Sequence, residues 1–269
     1  MFVYVRFDVT TRILAMPQNF RHPEILRLAR DQGRVLVHDL AKRFGVTVQT
    51  IRRDLTELAG AGRLQRVHGG AVIPSGVRNI EYEERQRLNA TAKAAMARAV
   101  AGLIPDEACI FLNIGTSTEA VAHELLGHDN LLVVTNNLNV AQIFATGSRN
   151  EVILTAGRLR KSDGGLTGPL AVRTVEEFRF DLAVIGCSGV SADGDLLDFD
   201  MAEVGVSQAA MARAGRTILL ADRSKFSRSA PARITGLDTL DTVVTDAAPP
   251  AALATHCRAA GTEIVIAAG

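Results

Sequence analysis

From Ala90 to the C terminus the chain passes through seven short, near-continuous apolar runs, CIFLNIG, LLVVTNN, EVILTAG, DLAVIGCSG, TILLAD, DTVVTD and EIVIA. A strand that is apolar on both faces must be covered on both faces, and parallel neighbours need a long crossover between them. The intervening stretches supply it, with helices expected over about 90–103, 119–127, 138–147, 202–214 and 249–260. The pattern predicts a mainly parallel α/β sheet with helices on both sides. In such sheets ligands bind beyond the carboxyl ends of the strands.

Five strand ends carry chemistry. In NIGTSTEA, Gly115, Thr116, Ser117 and Thr118 lead from a strand ending at Ile114 into a helix. Backbone N–H groups, hydroxyls and a helix dipole there make an anion cradle, or Ser117 and Thr118 are simple N-caps. In VTNNLNVA, Asn136 and Asn137 offer amides to ligand hydroxyls or phosphate, or serve turn chemistry. The stretch 157–168, GRLRKSDGGLTG, combines Arg158, Arg160 and Lys161 with an acceptor loop at Asp163 and Gly164, or is a charged surface turn. In DGDLLDFDMAEV, Asp198, Asp200 and Glu203 suit a polyol or a metal, or simply favourable charge before a helix. In ADRSKFSR, Lys225 follows a strand ending at Asp222 and suits a phosphate, or is solvated. No GxGxxG follows the first strand, and Walker A, GxSxG and HExxH patterns are absent, so no dinucleotide or other cofactor is expected.

The 269 residues are enough for two domains. Charge is divided between them. Residues 16–80 hold eleven Lys/Arg against five Asp/Glu, whereas 81–269 hold seventeen against twenty-three. A basic head on an acidic body points to a head that meets a polyanion. Cys109, Cys187 and Cys257 are far apart and lack metal-like spacing, which reads as a reduced, cytoplasmic protein without a metal site. No apolar run approaches a membrane span, so no membrane partner is expected.

The head reads as three helices and a hairpin. The first runs from Arg21 to Gly33, with Pro23 in its first turn. The second runs from Val37 to Phe44, with Val37, Leu40, Ala41 and Phe44 inward and the poor capping residue Leu36 before it. Gly45 ends it in a left-handed turn, and Thr47 caps the third helix. There Val48, Ile51, Leu55 and Leu58 form one apolar stripe, so Gln49 and Arg53 point directly away from it, flanked by Thr50 and Arg52. Gly69 and Gly70 separate two short β-like runs, a wing that carries Arg66 and His68. A helix pair with a short Gly turn and a basic outer face is a helix-turn-helix layout. The sequence-based candidates for DNA contact are Thr47, Gln49, Thr50, Arg52, Arg53, Arg66 and His68, with Gln49 and Arg53 reading bases and Arg52 and Arg66 on phosphates. The alternative is a small three-helix core with a solvated basic face.

The strings VTVQTIRRDLTELAGAGRLQRVHGGAV, NIGTSTEAVAHELL, VTNNLNVA, LRKSDGGLTG, LLDFD-x-x-EV and DRSKFSR resemble the DeoR family of transcriptional repressors from about Met16 onward. The resemblance implies a winged helix-turn-helix over 16–74, a linker over 75–89, and a sensor domain over 90–269 folded like ribose-5-phosphate isomerase and coenzyme A transferases. Residues 1–15 are expected to be disordered or to stem from a mis-assigned start. The resemblance also implies binding of double-stranded operator DNA by a dimer or tetramer, and release by a small phosphorylated effector. The fuller strings favour a branch of the family that senses glycerol 3-phosphate, with a sugar phosphate as the second choice. The expected effector residues are Gly115, Thr116, Ser117, Thr118, Asn136, Asn137, Asp163, Gly164, Asp200, Glu203 and Lys225. Catalysis is not expected. The alternatives are a sugar-phosphate isomerase-like enzyme and an activator of the same architecture.

Overall fold

The computed structural model describes residues 18–32, 34–60, 63–67, 69–72, 82–146 and 149–267. The chain divides into two compact units that meet between Pro74 and Ser75. The expectations placed on residues 1–15, on His68 and on linker positions 75–81 lie outside the described residues.

The first unit contains α1 (Gln18–Gln32), β1 (Arg34–Leu36), α2 (Val37–Phe44), α3 (Val48–Gly60), β2 (Gln65–Val67) and β3 (Gly70–Val72). α2 has the boundaries its periodicity predicts, and Val37, Leu40, Ala41 and Phe44 are buried. Leu36 precedes it without a side-chain cap, and Gly45 closes it at φ 64°, ψ 31°. Thr47 Oγ1 accepts from the Thr50 N–H at 3.1 Å and so caps α3. Ile51, Leu55 and Leu58 pack with Ile25, Leu28, Leu40 and Phe44 in one core, with Val48 at its edge.

Two features depart from the sequence reading. α1 begins at Gln18, so Pro23 lies inside it rather than in its first turn. The wing hairpin, β2–β3, is present but belongs to a three-stranded sheet, because β1 pairs antiparallel with β3 on the side opposite β2. Three residues are too few to show a period, which is why β1 is not visible in the sequence. The tandem glycines divide the work. Gly69 holds φ +74°, and a Cβ on Gly70 would lie 2.0 Å from the Val35 carbonyl oxygen.

The second unit continues with α4 (Tyr82–Arg87), α5 (Ala90–Ala101), β4 (Cys109–Leu112), α6 (Thr116–Glu124), β5 (Leu132–Thr135), α7 (Leu138–Ala145), β6 (Glu151–Leu154), β7 (Arg158–Arg160), β8 (Gly165–Thr167), α8 (Pro169–Glu176) and β9 (Phe180–Gly186). It closes with β10 (Gly189–Val190), β11 (Asp195–Asp198), α9 (Met201–Ala212), β12 (Ala214–Leu220), β13 (Ala232–Gly236), β14 (Thr242–Thr245), α10 (Ala251–Ala260) and β15 (Glu263–Ile266). The seven predicted strands form one parallel sheet in the order β15-β14-β12-β9-β4-β5-β6. Alternation along each strand feeds two cores. Ile110, Leu112, Leu182 and Val184 face α5 and α6, while Phe111, Ala183 and Ile185 face Ala171, Val175, Val206 and Ala210.

The chain winds from β4 outward to β6, then returns to the other side of β4 at β9. Strand order therefore reverses between β4 and β9, the topological switch point where open α/β sheets bind ligands. Asn113 ties these two strand ends together. Its amide nitrogen donates to the Gly186 carbonyl at 3.2 Å, and its Oδ1 accepts from the Gly186 N–H at 2.9 Å. A β7–β8 hairpin and a small antiparallel sheet, β10-β11-β13, add to the predicted layout. The stretch 82–89, read as linker, instead packs α4 and its following turn against the sensor unit, with Tyr82, Arg85 and Asn89 bonded to it.

Candidate functional site

In the first unit the outer face of α3 carries the candidate contacts. Gln49, Arg52 and Arg53 are exposed, and Thr50 is half-buried beside Thr47, with the two hydroxyls 2.9 Å apart. Arg53 Nε donates to Glu57 Oε1 at 3.0 Å across one exposed turn, a pair too solvated to hold it firmly. Arg66 reaches back from β2 to donate to the Arg52 carbonyl at 3.0 Å, so strand and helix are braced together. Beneath this face lies a pair that sequence reading missed. Arg21 and Asp54 are both buried and joined by two hydrogen bonds, Nε to Oδ2 at 2.8 Å and Nη2 to Oδ1 at 3.1 Å. The Asp54 contact raises the Arg21 pKa further. Its one trace in the sequence is an acid beside the apolar stripe of α3.

In the second unit the Gly115–Thr118 stretch lies at the switch point, after β4. Thr116, Ser117 and Thr118 are the first turn of α6 rather than a loop before a helix, because α6 starts three residues earlier than its periodicity suggests. Gly115 precedes them at φ 155°, ψ 151°, and no side chain caps the helix. The first N–H groups of a helix have no partner within it, so they face outward. The hydroxyls are not spare. Thr118 Oγ1 donates to the carbonyls of Asn113 and Gly115, and Thr116 Oγ1 accepts from Lys93 Nζ at 2.8 Å while contacting the Arg85 carbonyl.

Lys93, buried on α5, also donates to the Arg85 carbonyl. Burial pushes its pKa down to about 8, and the charges of Lys225 and Arg85 push the same way. Lys225 follows β12 in the turn 223–227 and is half-buried. Its pKa is lowered by burial and then by Arg228, and that of Arg228 is lowered by burial with Arg85 adding to the effect. Four cations from three chain segments thus sit close enough to destabilise one another: Arg85, Lys93, Lys225 and Arg228. Besides Asp163, which bonds Arg85 at 3.0 Å, a counter-charge acting on Lys93, Lys225 and Arg228 is Asp222. Burial works against its ionisation, but Lys225 and the Ser224 hydrogen bonds hold its pKa below normal. It also accepts from Asn89 at 2.9 Å. Only Lys225 among the four cations is predicted from sequence. The missed Lys93 left a trace, a lone cation in the Ala-rich run ATAKAAMA.

The other expected residues are placed differently. Arg160 is bonded to three carboxylates at once: Asp163 through Nε and Nη2, both at 2.8 Å, Asp200 at 2.7 Å and Glu203 at 2.6 Å. Asp163, Asp200 and Glu203 are therefore held by a guanidinium instead of standing open to ligand hydroxyls. Asp200 also caps α9, accepting from the Ala202 N–H at 2.8 Å. Arg160 and Arg85 face Asp163, Asp200, Glu203 and the nearby Asp198, so acids outnumber cations in this corner. Burial and the Asp198 charge accordingly push Glu203 up to about 8 in spite of Arg160. Arg160, one of the three cations expected of the 157–168 loop, is thereby engaged by carboxylates.

Asn137 caps α7, accepting from the Asn139 N–H at 2.9 Å, and donates to Glu119, so the turn alternative describes it. Gly164 turns the β7–β8 loop at φ +74° with its carbonyl bonded to the Leu138 N–H. Asn136 is buried, donates to the Leu166 carbonyl at 3.1 Å and leaves its Oδ1 without a partner. Among the described residues no cluster of three or more His, Cys, Asp or Glu is placed to hold a metal, and no helix is long and apolar enough to cross a membrane.

Comparison with known proteins agrees with both units. Residues 21–77 match the family described as DeoR-like helix-turn-helix domain, and residues 88–247 match DeoR C terminal sensor domain. The chain is 42% identical over 235 residues to the glycerol-3-phosphate regulon repressor of Escherichia coli (strain K12), covering 87% of this chain and 93% of that one. It is 40% identical over 234 residues to the protein of the same name from Haemophilus influenzae, covering 87% and 91%. Among solved structures it is similar to ribose 5 phosphate isomerase A from Neisseria gonorrhoeae, with a TM-score of 0.37, 13% identity, and coverage of 50% and 52%.

Proposed function

The chain belongs to the DeoR family, and from that premise we propose that it is a DNA-binding transcriptional repressor of a carbon-catabolism operon, released from its operator by a small phosphorylated metabolite. The observation that carries the effector half is the meeting of Lys93, Lys225, Arg85 and Arg228 at the uncapped N-terminus of α6. Four mutually repelling cations gain most from a dianion, and outward N–H groups bond its oxygens. Glycerol 3-phosphate is the first candidate, because relatives at 40–42% identity are named for it, and a sugar phosphate is the second.

The DNA half rests on the exposed α3 face and the braced wing. Gln49 and Arg53 read base edges from α3 in the major groove, while Arg52 and Arg66 hold phosphates. Repressors of this layout pair half-sites, so the working species is a homodimer or a homotetramer, in the cytoplasm. A regulator is favoured over an isomerase-like enzyme because the acids that proton transfer at carbon requires, the buried Asp163 and Glu203 and the half-buried Asp200, are engaged by Arg160.

A thermal-shift panel of phosphorylated metabolites, followed by operator binding with each hit, tests the reading. Glycerol 3-phosphate should raise the melting temperature and release DNA. A shift with another phosphate, and none with glycerol 3-phosphate, moves the effector assignment to that compound. Turnover of any sugar phosphate by the pure protein removes the purely regulatory reading. Sedimentation at micromolar concentration checks the assembly, and a monomer that grips a single half-site tightly contradicts it.

A further inference from the structure

We propose that Arg85 is the residue through which occupancy of the anion site reaches the segment leading to the DNA-binding unit: its guanidinium exchanges Asp163 for the bound phosphate, and α4 moves with it. This rests on the effector site assigned above and adds how that site is read.

Three observations point to the exchange. First, the Arg85 guanidinium is only partly used. Nη2 donates to Asp163 Oδ2 at 3.0 Å, but Nε is buried without a partner. A buried donor left unmet is unfavourable, and a phosphate supplies acceptors in the spacing of the guanidinium fork. Second, Asp163 does not depend on Arg85. Arg160 already gives it two hydrogen bonds at 2.8 Å, so its carboxylate stays paired when Arg85 leaves. Third, the Arg85 backbone lies on the cradle itself. Its carbonyl accepts from Lys93 Nζ and from Thr116 Oγ1, two groups beside the N-terminus where the phosphate rests. An anion that draws Lys93 toward itself weakens the hold on that carbonyl while attracting the Arg85 side chain.

The consequence is mechanical. α4 is six residues long, too short to persist without tertiary anchors. Among the described side chains, its anchors to the rest of the unit are Arg85 on Asp163 and Tyr82, whose hydroxyl donates to Glu119 Oε2 at 2.8 Å and accepts from Asn139. Moving one of these re-aims the chain that runs back to the first unit. Differential contact of this kind is what a ligand needs to shift a conformational equilibrium.

The chain contains no Trp, so Gln86→Trp puts a single indole on the exposed side of α4. The full-length variant is titrated with glycerol 3-phosphate and, separately, with inorganic phosphate, by calorimetry and by emission in parallel. The expected result is an emission shift whose midpoint matches the calorimetric one. Adding Arg85→Ala should weaken binding by about 10–100-fold, since one charge-assisted contact is lost. It should also abolish both the emission shift and ligand-driven release of operator. Heat without an emission shift in the single variant, or a shift that survives Arg85→Ala, overturns the exchange and leaves the anion site standing. No heat with either ligand in the unsubstituted chain overturns both. If Gln86→Trp does not fold, hydrogen exchange of residues 82–89 in the unsubstituted chain, with and without ligand, makes the same distinction.

Discussion

Both units gather positive charge, but they hold it in opposite ways. On α3 the arginines stand in solvent, and Arg53 has only an exposed Glu57 for company. In the sensor unit Lys93 is buried and Lys225 and Arg228 are half-buried, and Lys225 lowers the pKa of Lys93 as Arg228 lowers that of Lys225. An exposed cation retains its hydration and attracts a polyanion through a screened field, so its effect is graded and salt-dependent. A desolvated cation pays for its position in free energy and recovers it when one small anion arrives. The first arrangement suits a long DNA backbone, and the second suits a discrete metabolite.

Four experiments test that contrast. The largest effect is expected from Arg21→Ala. It leaves the buried Asp54 carboxylate with only His22 among the described residues, at 3.4 Å, in place of a bidentate guanidinium and should destabilise the first unit by about 3–5 kcal/mol. Chemical denaturation should show an early transition for that unit and leave that of the sensor unit unmoved. A shift of both would mean that the two units unfold as one.

Lys225→Ala should come next, lowering effector affinity by about 1.5–3 kcal/mol in calorimetry. Operator affinity should stay within about twofold, because the variant remains folded and repression does not need the site. A variant that responds to effector like the parent would place the phosphate elsewhere. Arg53→Ala should weaken operator binding by about 1–3 kcal/mol with little effect on random DNA. Arg66→Ala should weaken both alike and reduce the salt slope by about one. Equal losses on the two DNAs for Arg53→Ala would remove its base-reading role.

The smallest expected effect is on pH. The pKa of Lys93 lies at about 8, below its value of 10.5 in an unfolded chain, so the folded protein binds fewer protons between these limits. Stability should therefore rise with pH across that window, as the unfavourable buried charge is relieved. Effector binding runs the other way, since the anion needs Lys93 charged. Affinity should fall, by at most about tenfold, between pH 8 and 9, where the phosphate remains a dianion. Calorimetry in buffers of different ionisation enthalpy should register proton uptake, and Lys93→Met should flatten the profile. An unchanged profile in that variant would assign the proton to another group.

The sequence by itself determined whatever is written within a turn or two of chain. The stripe Val48, Ile51, Leu55 and Leu58 specified α3 and its outer face, Gly45 and Thr47 specified the turn, and the apolar runs specified seven parallel strands. Periodicity and capping are short-range physics, so they are legible one window at a time. It also placed Lys225 and the Gly115–Thr118 stretch at strand ends. What only the tertiary structure decided is which charges meet. Arg85 reaches Asp163 across 78 residues, Arg160 reaches Glu203 across 43, and Arg21 reaches Asp54 across 33. Asp163, Asp200 and Glu203 look like ligands in the chain because an acid at a strand end is equally suited to a hydroxyl or a guanidinium. The fold resolves that ambiguity by bringing Arg160 to all three, and it gathers Arg85, Lys225 and Arg228 near Lys93.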